Sequence, residues 1–286
     1  KCKTAAEAAV DAFFEIEPYK SFRDRFNVYA VDVVSKNNAY SKKTATKFAT
    51  WFDETGASMA VGGNDDTVIE YIKKAVGTRW EKATAIVLLN TRRDCGTTYF
   101  YWDNPDLGIC YLPANTAPAT CAETLQHEAC GHAFGKLQDE YSYQENGMVP
   151  DIVIENIRVS QQKYGWYVNV DFTNDTSKIL WAKFIADSRY DGEKLGAYQG
   201  GLTFWKGVYR PTENSIMRDN TSGFNAPSRE AIYKRINSMA DPQWKYDYEE
   251  FVKYDAVNRN YPKAEGAVKS VKPVNKKKYC PPVIAR

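Results

Sequence analysis

Apolar residues recur three and four positions apart over TAAEAAVDAFFEI (residues 4–16), which predicts an opening helix. FNVYAVDVVS (26–35) alternates instead and is rich in valine, the signature of a strand. Segment 40–57 is compatible with either type, and VGGNDD (61–66) reads as a turn. TVIEYIKKAVG, from Thr67, predicts a helix closed by Gly77. The unbroken apolar run TAIVLLN (84–90) predicts a buried, central strand. TTYFYW (97–102) and GICYLPA (108–114), joined by DNPDLG, predict a hairpin at the sheet edge.

Beyond the loop NTAPA, Thr120 and Glu123 have capping-box spacing, and a helix should run through ETLQHEACGHAF to Gly135. Further on, 150–165 reads as helix, YVNVDF (167–172) as strand and 178–190 as mixed. Residues 214–228 read as loop, and REAIYKRINSM (229–239) as a helix with Ile232, Ile236 and Met239 at i, i+4 and i+7. Strands alternating with helices place the chain in the α/β (α+β) class: a mixed twisted sheet packed with helices, then a mainly helical or irregular C-terminal part. The expected division is one domain over 1–261, split near 135/136, followed by a tail over 262–286.

Composition adds exclusions. With 43% hydrophobic and 26% charged residues, the chain is an ordinary globular sequence. Lys+Arg 38 against Asp+Glu 36 gives no electrostatic reason to expect a nucleic-acid partner. That near-balance conceals a basic tail: residues 262–286 hold seven Lys or Arg and one Glu, leaving 31 basic and 35 acidic residues elsewhere. The tail reads as a solvated extension. No apolar stretch is long enough to span a bilayer. Acidic residues occupy the N-terminus where a signal peptide needs an apolar run, so the chain reads as mature, trimmed or cytosolic. None of the six cysteines forms a CxxC pair; a bridge between Cys95 and Cys110 is open, against buried thiols as the ordinary alternative. The Asn174 and Asn220 triplets are too common by chance to fix a secretory address.

The chemistry rests on the chain's only two histidines, in His127-Glu128-Ala129-Cys130-Gly131-His132. In the zinc-protease pattern HExxH, histidines four apart share a helix face and the Glu activates a metal-bound water. Here they are five apart, which on an α-helix separates the rings by about 140°. A π-bulge absorbs one residue, and Gly131 sits where the backbone would deform most easily. The arrangement is similar to the HExxGH motif of the dipeptidyl-peptidase III family. Cys130 is a rival ligand, although it would leave His132 without a role.

A catalytic zinc site takes three protein ligands, and with no third histidine the third should be a carboxylate. In AFGKLQDEY, Gly135 can turn the chain back toward the metal. The metzincin spacing falls on Gln138, a poor ligand, so Asp139 is preferred and Glu140 is the alternative. Met217 in NSIMRD is a candidate for the methionine turn beneath the metal, against a gap-filling core methionine. The expected site is therefore Zn2+ on His127, His132 and Asp139, with Glu128 as general base. The substrate would lie along an edge strand, with GICYLPA as the candidate. Tyr141 and Arg218 lie near the motifs and have no assigned role.

FFEIEPYKSFRDRFNVYAVDVVS, HEACGHAFGKLQDEY and GVYRPTENSIMRDNTSGFNAPSREAIYKRI together resemble the bacterial IgA-peptidase family of metzincin-type metallopeptidases, over most of residues 4–240. The resemblance implies a zinc endopeptidase acting on protein or peptide, secreted or at the cell surface of a gut-type bacterium. It does not carry over cleavage of IgA itself. Family members open with a strand and a GDG-type turn, whereas this chain opens on a helix, so it reads as a fragment. Two rivals stand beside this reading. One is a zinc hydrolase of a non-protein substrate, with 20 Tyr and 7 Trp available to stack on sugars. The other is a silent binding module on the same fold.

Overall fold

The computed structural model describes residues 2–37, 46–55, 57–114, 118–220, 222–259 and 281–284. Segment 40–57 falls partly outside these residues, as do part of the NTAPA loop, Thr221 of the Asn220 triplet and most of the 262–286 tail, Cys280 included. Two compact units emerge: Lys1–Phe13, Asn27–Phe134 and Lys263–Arg286 form one, and Phe14–Phe26 with Gly135–Pro262 form the other. No helix among the described residues is long and apolar enough to cross a membrane.

In the first unit, α1 (Cys2–Phe13) buries Ala9, Ala12 and Phe13, one stripe at helical spacing. It stops short of residue 16 because the chain turns ahead of Pro18, which cannot donate a helical hydrogen bond. Residues 26–35 form no strand among the described residues. Val28, Tyr29, Val31 and Val34 are 46–88% exposed, and β-propensity without a partner strand or a face to bury does not make a ladder. β1 (Trp51–Phe52) and β2 (Val61–Gly62) pair antiparallel. α2 (Asp65–Val76) starts two residues before the expected point, because Asn64 caps it by accepting from the Thr67 amide at 3.0 Å. Gly77, at φ +64°, ends it.

The main sheet runs β3 (Thr84–Leu89), β5 (Gly108–Pro113), β4 (Thr97–Phe100) and then the short strand Val283–Ile284. β3 is parallel to β5, and β4 is antiparallel to β5. Two expectations are corrected here. Among the described residues the apolar run of β3 lies at the edge, and β5, within GICYLPA, is interior, paired on both sides and buried throughout Gly108–Pro113. An interior strand has no open ladder for a substrate backbone. Periodicity alone cannot separate these cases, since only Val87 of β3 is buried. Phe52, Val61, Val68, Ile72, Tyr101, Ile109 and Tyr111 form the core beside the sheet.

α3 (Pro118–Leu125) begins with proline in its first turn, so Thr120 lies inside the helix and is not its cap. α3 continues directly into a π-helix, Gln126–Phe134. Gly108 of β5 lies so close beneath this helix that an added Cβ would stand 2.5 Å from the Ala133 carbonyl.

The second unit contains a three-stranded sheet that hydrophobic patterning did not reveal. β6 (Ser142–Met148) pairs parallel with β8 (Thr203–Arg210), and β7 (Tyr198–Gly201) pairs antiparallel with β8. α4 (Asp151–Tyr164) follows Pro150 and ends on Gly165 in the left-handed conformation. Residues 167–172 are not a strand: Tyr167 has φ +58°, and only Asp171 bridges, to Tyr209. The short α5 (Ala182–Ile185) and α6 (Ile216–Asp219) precede α7 (Ala226–Ala240), which Asn225 caps, and α8 (Tyr248–Asn258), which Asp247 caps. Trp181, Phe184, Tyr190, Tyr233 and Phe251 make an aromatic core, and Phe22 packs on Tyr233 and Tyr254 at 5.6 and 5.1 Å.

Candidate metal centre

The π-helix answers the five-residue spacing of the histidines. An i→i+5 hydrogen-bond ladder brings residues five apart to successive turns of one face, where an α-helix would splay them. His127 and His132 accordingly stand with ring centroids 4.7 Å apart and Nε2 atoms 3.1 Å apart, and both are buried. The widened helix spans nine residues, a longer deformation than a single bulge at Gly131. Phe100 of β4 meets the His132 ring edge-on at 6.5 Å.

Past Gly135 the chain is held by its backbone at nearly every residue. Tyr167 N–H donates to the Lys136 carbonyl at 2.8 Å and Leu202 N–H to the Asp139 carbonyl at 2.9 Å. Thr203 N–H donates to the Tyr141 carbonyl at 3.1 Å. Asn169 brackets Gln138, accepting from its N–H at 2.9 Å and donating to its carbonyl at 2.7 Å. Glu140 N–H donates to the Met217 carbonyl at 2.8 Å, so buried Met217 on α6 lies one hydrogen bond from the acidic pair.

The two acids have separate surroundings. His127, His132 and Asp139 each offer a ligand atom, all within 4.8 Å of one another. Glu140 instead accepts from Ser215 Oγ at 2.6 Å, Asn169 Nδ2 at 2.9 Å and Asn225 Nδ2 at 3.0 Å. Burial raises its pKa, and these donors oppose the rise.

Two imidazoles and a carboxylate are a donor set suited to zinc. Nitrogens bound tetrahedrally at 2.0–2.1 Å stand about 3.3 Å apart, close to the separation of the two Nε2 atoms. The residues present therefore fit a divalent metal. Cys130 lies outside the cluster, its thiol directed at the Phe13 carbonyl at 3.7 Å and its pKa pushed up by burial. Cys95, Cys110 and Cys121 are thiols as well, so no bridge joins Cys95 to Cys110.

Glu128 is buried, and its Oε2 accepts from Thr98 Oγ at 2.7 Å. Arg218 is half-buried and engaged locally with Glu213 and Asn214; Tyr141 is buried beside Tyr143. Sequence reasoning missed Thr98, Asn169, Ser215 and Asn225. The one signal was polarity: Thr97 and Thr98 are both fully buried at the start of an otherwise aromatic strand.

No curated protein matches the chain. The family model described as IgA Peptidase M64 matches residues 1–190 and 182–236, nearly the whole of the described chain. The histidine helix and the acid beyond it thus belong to a peptidase, and this chain is a member of the IgA peptidase M64 family.

Proposed function

We propose that the chain is a zinc-dependent endopeptidase, secreted or displayed at a bacterial cell surface, in which His127, His132 and Asp139 hold the ion and Glu128 is the general base. The observation that carries this reading is the convergence of those three ligand atoms within 4.8 Å, in a chain of a peptidase family. When bound, zinc would supply Lewis acidity toward the scissile carbonyl and a water of lowered pKa. Glu128, next to His127 on the π-helix, accepts the proton of the attacking water and returns it to the leaving amine. Met217 supports the segment carrying Asp139 through the Glu140 amide. The catalytic domain is proposed as residues 1–261, with 262–286 as a basic tail that returns to the main sheet, where Val283–Ile284 pairs with β4.

The test is metal analysis of protein purified without chelator, followed by incubation with a mixed protein substrate with and without chelator. The expected result is about one zinc per chain and chelator-sensitive cleavage. Zinc without cleavage of any protein would favour a hydrolase of another substrate class. Absence of bound metal would overturn both enzyme readings and leave a binding module.

A further inference from the structure

Thr98 lies on β4, thirty positions before Glu128, and is fully buried. Its Oγ is 2.7 Å from Glu128 Oε2 and 3.0 Å from the Glu128 carbonyl oxygen. The hydroxyl has a single proton to donate, and the shorter, charge-assisted contact is to the carboxylate. Gly96, just ahead of the strand, makes this approach feasible: an added Cβ would stand 3.0 Å from Glu128 Oε1 and 3.1 Å from its Cγ. β4 therefore carries a socket for one acidic side chain, with a donor at one carboxylate oxygen and a bare backbone beside the other. Threonine suits the task because its branched Cβ restricts χ1, so the hydroxyl is aimed by the strand and needs no further ordering.

We propose that Thr98 is the positioning residue of Glu128, fixing the carboxylate in one orientation so that no rotamer search precedes proton transfer. The inference rests on the reading of Glu128 as general base. A glutamate side chain has three rotatable bonds, and misplacement of a reacting group by about 1 Å can cost roughly 100-fold in rate. Removing the hydroxyl therefore acts on turnover, while substrate binding, which does not involve Thr98, is untouched.

The test compares Thr98→Val, which replaces the hydroxyl by a methyl, with Thr98→Ser, which keeps it, in the full chain. On a peptide that the wild type cleaves, Thr98→Val should lower kcat about ten- to a hundredfold with KM within twofold and zinc content unchanged. Thr98→Ser should recover most of the loss. A second measurement is independent of turnover. In a double-mutant cycle on the thermal midpoint of metal-free protein, Thr98→Val should be costly beside Glu128 and nearly neutral beside Glu128→Ala. Wild-type kcat in Thr98→Val, equal losses in the Val and Ser variants, or additive midpoint shifts would overturn the inference. Glu128→Gln separates the two levels. A silent Glu128→Gln with fully active Thr98→Val sinks only the positioning role, whereas an active Glu128→Gln sinks the general base and the positioning role together.

Discussion

His127 and His132 bring their Nε2 atoms to 3.1 Å across five residues because the helix that carries them is π-helical from Gln126 to Phe134. Such a helix is uncommon and less favourable than the α-form, so it is maintained by its surroundings. Gly108 admits β5 directly beneath Ala133, and the Gln126 amide donates to the Ala12 carbonyl at 3.0 Å. The geometry that converges the rings is thus supported from the sheet and from α1.

Replacing either ring should remove the metal. His127→Ala and His132→Ala are each expected to weaken zinc binding by at least about 100-fold, more than the loss of a residue that only supports a ligand. Competition titration with a chromogenic chelator reads this directly. Retention of stoichiometric zinc by either variant would show that the site lies elsewhere.

Arg229 on α7 is buried with two carboxylates. Its Nε donates to Asp255 Oδ1 at 2.6 Å, its Nη2 to Asp255 Oδ2 at 2.8 Å, and a further contact reaches Glu193. Burial disfavours the guanidinium charge, but the two acids outweigh it and raise the Arg229 pKa above its ordinary value. Asp255→Ala should therefore cost about 3–5 kcal/mol, because it leaves a buried cation short of its bidentate partner. Urea denaturation measures the loss; a change below 1 kcal/mol would contradict this account.

Local chemistry was legible in the sequence wherever one segment decided the outcome. The Gly77 stop of α2, the extent of α4 up to Gly165, and the Ile232 and Ile236 stripe of α7 follow from residues a few positions apart. What escaped depended on distant partners. FNVYAVDVVS has the composition of a strand but no ladder among the described residues, and β3 reads as central although it lies at an edge. β7 and β8 were hidden by a Gly-rich turn and by side chains that remain half exposed on both faces. For the proposed site, spacing alone makes His127, His132, Asp139, Glu140 and Glu128 candidates. The donors that separate the two acids, Asn169, Ser215 and Asn225, arrive from 29, 75 and 85 positions away.

Acid should weaken the second unit through Asp187. The Arg189 guanidinium bonded to this carboxylate lowers its pKa to about 2, with the Arg189 amide and Tyr248 hydroxyl adding to the effect. A folded-state pKa below the unfolded value stabilises the fold above about pH 4, and that stability is lost as pH falls through about 2. Arg189 is 44% exposed, so the effect is small and screened by salt. Asp187→Asn keeps the acceptor for the Arg189 amide and removes the charge. Its stability deficit should be largest near neutral pH and should vanish toward pH 2. A deficit independent of pH would refute the assignment.

Asp139 and Glu140, adjacent in sequence, should fail in different ways. Asp139 is the third ligand in the proposed zinc site, and its loss leaves the Leu202 N–H bond to its backbone carbonyl in place. Asp139→Ala is therefore expected to lower zinc affinity while the metal-free protein unfolds near the wild-type midpoint. Glu140 is the common acceptor of Ser215, Asn169 and Asn225, all buried. Glu140→Ala leaves these donors without their acceptor and should destabilise the metal-free protein by about 2–4 kcal/mol. Any zinc loss in that variant should follow unfolding and disappear under conditions where the variant remains folded. Parallel metal titration and chemical denaturation of both variants separates the roles. If Glu140→Ala binds zinc poorly while folded and Asp139→Ala binds it normally, the third ligand is Glu140.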